Sequence, residues 1–263
     1  MDRPTAVVGS TVNHMKLVED LTAVVVGGGD IGLAIAAVLV EHGAQVVVWD
    51  LRQEVIENLS EEISGHVVDV TLNDQMAELT ASVVDEYGSI DILVNSAGVL
   101  SCLDVEDMTT DLWQETIDVN LGGVFRTCRA VVGHMIKQRS GSIVNISSES
   151  GLRGSAGFSH YSASKFGVIG FSESLAQEVG EHGVRVNCVC PGAVESRMNT
   201  ETLAGVARRQ GRSYATTEHK VIERTALRRL VKPENVADAV LFLSSRLSSC
   251  ITGIALPVSG GLS

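Results

Sequence analysis

Seven short apolar runs recur along the chain, separated by longer segments with helical spacing, and this alternation constrains the fold more than any other feature. The runs are Ala23–Val26, Gln45–Trp49, His66–Val68, Ile90–Asn95, Gly141–Ile146, Arg185–Val189 and Ala255–Val258. Several are almost continuous Val, Ile and Leu, the pattern of parallel strands covered on both faces. Helical patterns span Ile31–His42, Leu51–Ile63, Asn73–Tyr87, Leu112–Gln138, Ser159–Val179 and Glu234–Leu243. The alternation predicts one α/β domain, a doubly wound parallel sheet, over residues 21–263, with residues 1–20 as an N-terminal extension. Residues 197–232 break the rhythm. They are polar, rich in Arg, Thr and Glu, and show no clear period, which suits a lid or a partly disordered segment.

Composition removes several classes of function. The net charge of −12 argues against nucleic acid or an anionic membrane as partner. No apolar run approaches the roughly 20 residues of a membrane span, and residues 1–20 mix charges with short apolar stretches, unlike a signal peptide. The five cysteines are odd in number, and the chain is too long and apolar to need staples, so reduced thiols and a cytoplasmic location are expected. Cys188 and Cys190 are two apart in a strand and share one face. The histidines form no HExxH or HxxxH pair, so no metal site is expected.

Two constellations carry chemistry. The first is Gly27-Gly28-Gly29-Asp30-Ile31-Gly32, which follows a strand and opens a helix. Gly27, Gly29 and Gly32 satisfy GxGxxG, where glycine serves the tight turn, the close approach of backbone to a pyrophosphate, and helix–strand packing. The helix N-terminus offers unpaired N–H groups to the phosphates, with Ile31 in its first turn. Asp50 ends the next strand, 18 residues after Gly32, near the interval of a ribose-binding carboxylate. A carboxylate there accepts from ribose hydroxyls and repels a 2′-phosphate, so NAD is expected over NADP. Alone, the loop could be an unliganded glycine turn and Asp50 a strand-end turn former. The second constellation is Tyr161 with Lys165, four apart on one helix face. An ammonium about 6 Å from a phenol, at an effective dielectric near 20, stabilises phenolate by roughly 3 kcal/mol, or about two pKa units. That brings tyrosine toward general acid–base work. Ser148 ends a strand thirteen residues upstream, where open α/β sheets bind ligands.

Together with Asp69-Val70-Thr71, Asn95-Ser96-Ala97-Gly98, Asp118-Val119-Asn120 and Pro191-Gly192, these motifs make the chain resemble a short-chain dehydrogenase/reductase of the single-domain, Rossmann-like kind from Leu21 onward. The resemblance implies roles. Tyr161 is the acid/base, Ser148 holds the substrate oxygen, Lys165 binds the nicotinamide ribose and lowers the tyrosine pKa, and Asn120 holds a water of a proton relay. Asp69 and Val70 flank adenine, while Asn95, Ala97 and Gly98 line the cofactor cleft. The stretch from Pro191 and Gly192 through Val194 and Ser196 holds the carboxamide, and residues 197–232 form a substrate lid. A homotetramer is also implied. Three departures stand out: the glycine loop is one residue shorter than the family's, with Asp30 in place of its middle glycine; Ser96 replaces an asparagine; and Ser259 replaces an aspartate.

The expected activity is hydride transfer between NAD and a secondary alcohol or ketone, with a polyol, sterol or small hydroxy compound as substrate. A 3-oxoacyl carrier-protein reductase is the enzymatic alternative, against which Asp50 counts. A nicotinamide-binding regulator without turnover is the alternative of another class, and the complete set Asn120, Ser148, Tyr161 and Lys165 counts against it.

Overall fold

The computed structural model describes residues 16–262. Residues 1–15 of the expected N-terminal extension lie outside this range; Val18, which follows them, is buried in the core.

Seven strands form one sheet, β1 (Thr22–Val26), β2 (Gln45–Asp50), β3 (Ile63–Val67), β4 (Ile92–Asn95), β5 (Gly141–Ile146), β6 (Val184–Pro191) and β7 (Ala255–Val258), in the order β3-β2-β1-β4-β5-β6-β7. Every pairing is parallel. The near-continuous apolar runs now have their physical reason. In β1, Val24 and Val26 pack into one core while Ala23 and Val25 pack into the other, since successive side chains leave opposite faces. The first core lies under α3 (Asn73–Tyr87), α5 (Gly123–Gln138) and α6 (Ser159–Val179). The second lies under α1 (Asp30–Glu41) and α9 (Pro233–Ser244). Cys188 and Cys190 both face the first core, as their spacing requires.

Three stretches differ from expectation. The helix expected over Leu51–Ile63 is only α2 (Gln53–Glu57), and Ile63 already begins β3. The run expected at His66–Val68 marks the end of this edge strand, whose first residues Ile-Ser-Gly are too polar to extend it. The helix expected over Leu112–Gln138 is two, α4 (Thr110–Ile117) and α5, joined by a π-helical turn at Asp118–Gly122. Residues 197–232 hold two helices, α7 (Arg197–Arg209) and α8 (Tyr214–Arg224). Only Leu203 and Ala207 of α7, and Thr217 of α8, are buried, so neither helix carries a broad apolar stripe.

Strand order reverses between β1 and β4, which opens a crevice at their carboxyl ends, the usual ligand position in such sheets. Gly27 follows β1 and Ala97 follows β4, and the two backbones touch: a Cβ on Gly27 would lie 2.4 Å from the Ala97 nitrogen.

Candidate active site

Each glycine of the loop has a distinct task. Gly27 takes φ +98°, a left-handed value other residues rarely adopt, and a side chain there would strike Ala97. A Cβ on Gly32 would sit 1.7 Å from the Gly27 carbonyl oxygen. Gly29 is the N-cap of α1, and a Cβ there would meet nothing within 4 Å. The first turn of α1 therefore faces open space with no capping side chain, and its N–H groups suit the phosphates of a dinucleotide. Val26, Val70, Asn95, Ala97 and Val119 line the adjoining crevice. The donors at the start of α1 and the open space at Gly29 fit the phosphates of a dinucleotide.

Asp30 does not cap its own helix. Its Oδ2 accepts from the Arg197 backbone N–H at 2.8 Å, at the start of α7.

Asp50 is buried at the end of β2, beside the loop. Its Oδ2 accepts from the Gly28 N–H at 2.6 Å, and its Oδ1 from the Arg52 backbone N–H at 2.8 Å and Nε at 3.0 Å. Burial pushes the carboxyl up, but the hydrogen bonds from Arg52 and Gly28 outweigh it and hold it below the usual carboxylate range. The guanidinium also donates to the Gly28 carbonyl at 3.2 Å. A cation thus lies beside Asp50 at the glycine loop, a neighbour that no spacing in the sequence marks.

The wall residues divide by how their polar atoms are used. Asn95 Nδ2 donates to Asn145 Oδ1 at 2.8 Å, and Asn95 Oδ1 accepts from Thr127 at 2.7 Å. Its side chain is committed to the core, and it lines the crevice without offering a free amide. Asp69 closes a turn by accepting from the Thr71 N–H at 2.8 Å and hydroxyl at 2.7 Å, while Val70 packs against Gly123. Beyond β6, the Gly192 N–H donates to the Val258 carbonyl at 3.0 Å, and a Cβ on Gly192 would press on Ser259. Val194 is buried and bridged to Val231, and Ser196 caps α7, its hydroxyl accepting from the Asn199 N–H at 3.2 Å.

Asn120, Ser148, Tyr161 and Lys165 converge. Gly98 stands between two of them: a Cβ there would be 3.2 Å from Asn120 Oδ1 and 3.6 Å from Lys165 Nζ. Asn120 sits in the π-helical turn, accepts from the Val99 N–H at 2.8 Å and donates to the Val99 carbonyl at 2.9 Å and Ser164 Oγ at 3.1 Å. Lys165 Nζ donates to the Ile146 carbonyl at 2.9 Å and lies 5.7 Å from the centre of the Tyr161 ring. Burial raises the Tyr161 phenol to about 12, against the pull of a hydrogen bond with Ser148. Burial likewise lowers Lys165 to about 8. Removal from water dominates both groups and works against the lowering of the phenol expected from Lys165.

Two polar groups here escaped the motifs. Glu149 follows Ser148, and its buried Oε2 has no hydrogen-bond partner among the described residues, 3.4 Å from where a Cβ on Gly192 would lie. His160, fully buried before Tyr161, shares a 2.8 Å hydrogen bond with Ser101. Among the described residues no three His, Cys, Asp or Glu side chains cluster as metal ligands, and no helix is long and apolar enough to cross a membrane.

Comparison with known proteins gives this geometry its class. The model of a family described as Enoyl-(Acyl carrier protein) reductase matches residues 28–263. The chain is 39% identical over 256 residues to a 3-oxoacyl-[acyl-carrier-protein] reductase of Chlamydia muridarum, covering 94% of this chain and 99% of that protein. Its fold superposes on NAD+-bound xylitol dehydrogenase with a TM-score of 0.90 at 29% identity, covering 93% and 99% of the two chains. An actinorhodin polyketide ketoreductase with NADPH superposes at 0.89 and 34% identity, covering 92% and 97%. The chain belongs to the short-chain dehydrogenase/reductase family. It is an oxidoreductase of CH–OH and keto groups, and its family works with a nicotinamide cofactor.

Proposed function

We propose that the protein reduces a 3-oxoacyl thioester to its 3-hydroxy form, and the reverse, using NAD(H). The end-to-end similarity to 3-oxoacyl reductases favours this substrate over the polyol, sterol or small hydroxy compound that the motifs alone suggest. The observation that carries the chemistry is the convergence of Ser148, Tyr161, Lys165 and Asn120 at the carboxyl ends of β4 and β5. When bound, a reduced nicotinamide supplies the hydride. Ser148 Oγ holds the carbonyl oxygen and Tyr161 Oη gives that oxygen its proton, so that C=O becomes CH–OH. Lys165, as the ammonium, holds the nicotinamide ribose and re-protonates Tyr161, with Asn120 placing the water that leads to solvent. The α1 amides beside Gly29, with Ile31 in the first turn, hold the pyrophosphate. Asp50 holds the adenosine ribose, Asp69 and Val70 flank adenine, Ala97 and Gly98 form the wall, and residues 191–196 hold the carboxamide.

Asp50 also favours a second reading, a polyol or sugar dehydrogenase working with NAD, like the xylitol dehydrogenase neighbour. Nicotinamide absorbance separates the two. Acetoacetyl thioester should be reduced with NADH, and polyols should give little reduction of NAD. Rapid polyol oxidation without thioester reduction would replace the first reading with the second. The enzyme is further proposed to act as a homo-oligomer, because Trp113, Phe125 and Phe166 expose aromatic surface on helices α4, α5 and α6, and in the cytoplasm, where its five cysteines would stay reduced.

A further inference from the structure

Asp30 stands where the resemblance leads one to expect glycine, and it makes a contact glycine cannot make. It is the first residue of α1, on the loop whose amides suit a pyrophosphate. Its carboxylate reaches across 167 residues of sequence to the Arg197 N–H, the first residue of α7. That N–H is one of the four that a helix start leaves without an internal partner. Ser196 serves another of them, through Asn199, and the positive end of α7 favours a carboxylate. The chain just before α7 is held from the other side. Glu195 N–H donates to the Val231 carbonyl at 2.8 Å, and Val231 N–H donates to the Ala193 carbonyl at 2.9 Å. Residues 193–197 are therefore fastened at one end to Val231 and at the other to Asp30.

From this we infer that Asp30 is a positioning residue for the nicotinamide half of the cofactor. It acts through Arg197 on the segment Val194–Ser196, and it ties the pyrophosphate loop to the carboxamide end of the crevice. The inference rests on the nicotinamide reading above. It also explains how a negative group is tolerated beside a phosphate site: the carboxylate is turned to α7 and is attracted to Arg52.

Binding of NADH and of ADP-ribose, which lacks the nicotinamide, separates this role from simple damage. Asp30→Ala should weaken NADH by roughly three- to tenfold, the size of one ordinary net hydrogen bond, because the contact is solvent-exposed. ADP-ribose should bind as before or more tightly, because a negative charge near the phosphates is gone. Asp30→Asn keeps an acceptor for the Arg197 N–H and should restore NADH to within about twofold of wild type. Amide hydrogen exchange over residues 194–200 should quicken in Asp30→Ala and recover in Asp30→Asn. The inference is overturned if Asp30→Ala leaves NADH unchanged, if it weakens both nucleotides alike, or if Asp30→Asn fails to restore NADH. A wild type that binds neither nucleotide overturns the cofactor reading, and the inference with it.

Discussion

Lys165 shows how one side chain is set by its surroundings. Its buried ammonium donates to the Ile146 carbonyl and lies over the Tyr161 ring, and burial lowers its pKa from 10.5 to about 8. Below pH 8 the folded and unfolded states both carry the proton, and the full cost of burying the charge is felt. Between about 8 and 10.5 the unfolded state holds more protons, so stability rises with pH across that window. Lys165→Met removes the buried charge. Thermal unfolding should find this variant more stable than wild type at pH 7, with the gap closing toward pH 10; a constant gap would mean the residue does not titrate there. In catalysis the same titration acts oppositely, because the ammonium is the working form: kcat/KM for reduction should fall above about pH 8. A profile flat to pH 9.5 or so would remove Lys165 from the proton relay.

Asp50 and Arg52 give a second test at this scale. In the proposed cofactor site the carboxylate would discriminate against a 2′-phosphate, and the guanidinium bound to it would soften that discrimination. Arg52→Ala should widen the preference for NADH over NADPH, and Asp50→Ala should narrow it, both read as ratios of kcat/KM. An Arg52→Ala variant with an unchanged ratio would place the guanidinium outside cofactor choice.

At the scale of elements, Gly29 separates folding from binding. Space for a Cβ is open there, whereas Gly27 and Gly32 have none. Gly29→Ala should lower Tm by only a few degrees, since alanine is a poorer N-cap than glycine by roughly 1 kcal/mol. It should nonetheless weaken dinucleotide binding about tenfold or more by filling the phosphate approach. Equal binding in calorimetry would mean the phosphates lie elsewhere.

Elements were legible where burial is two-sided or the amphipathic stripe is broad. Gly141–Ile146, Asn73–Tyr87 and Ser159–Val179 have the bounds their patterns predict; so does Ala255–Val258, although it is the other edge strand and only half-buried. Legibility is partial at β3, where His66–Val68 marks the strand but Ile63, Ser64 and Gly65 do not, and it fails at α7 and α8, which bury few side chains. No spacing marks the π-helical turn, whose Asn120 is held by hydrogen bonds to Val99, 21 residues away. In the site, the glycine loop and the Tyr161–Lys165 pair could be read because each is local. The contacts of Asp30 with Arg197 and of Arg52 with Gly28 span 167 and 24 residues, and no spacing rule reaches them.

At the scale of the whole molecule, the exposed aromatic residues on α4, α5 and α6 predict association. Light scattering should give a mass several times the 27.8 kDa of one chain, and charged substitutions at Phe125 and Phe166 should reduce it. A monomeric wild type would contradict this. The account as a whole turns on proton delivery by Tyr161 to a ketone as hydride arrives. The most direct measurement is the turnover of NADH with acetoacetyl thioester by wild type and by Tyr161→Phe, with NADH binding measured alongside. Loss of the phenol should lower kcat at least ~100-fold and leave NADH affinity nearly unchanged, because only a hydroxyl is removed. A Tyr161→Phe variant that binds NADH and turns over at close to the wild-type rate would contradict the account.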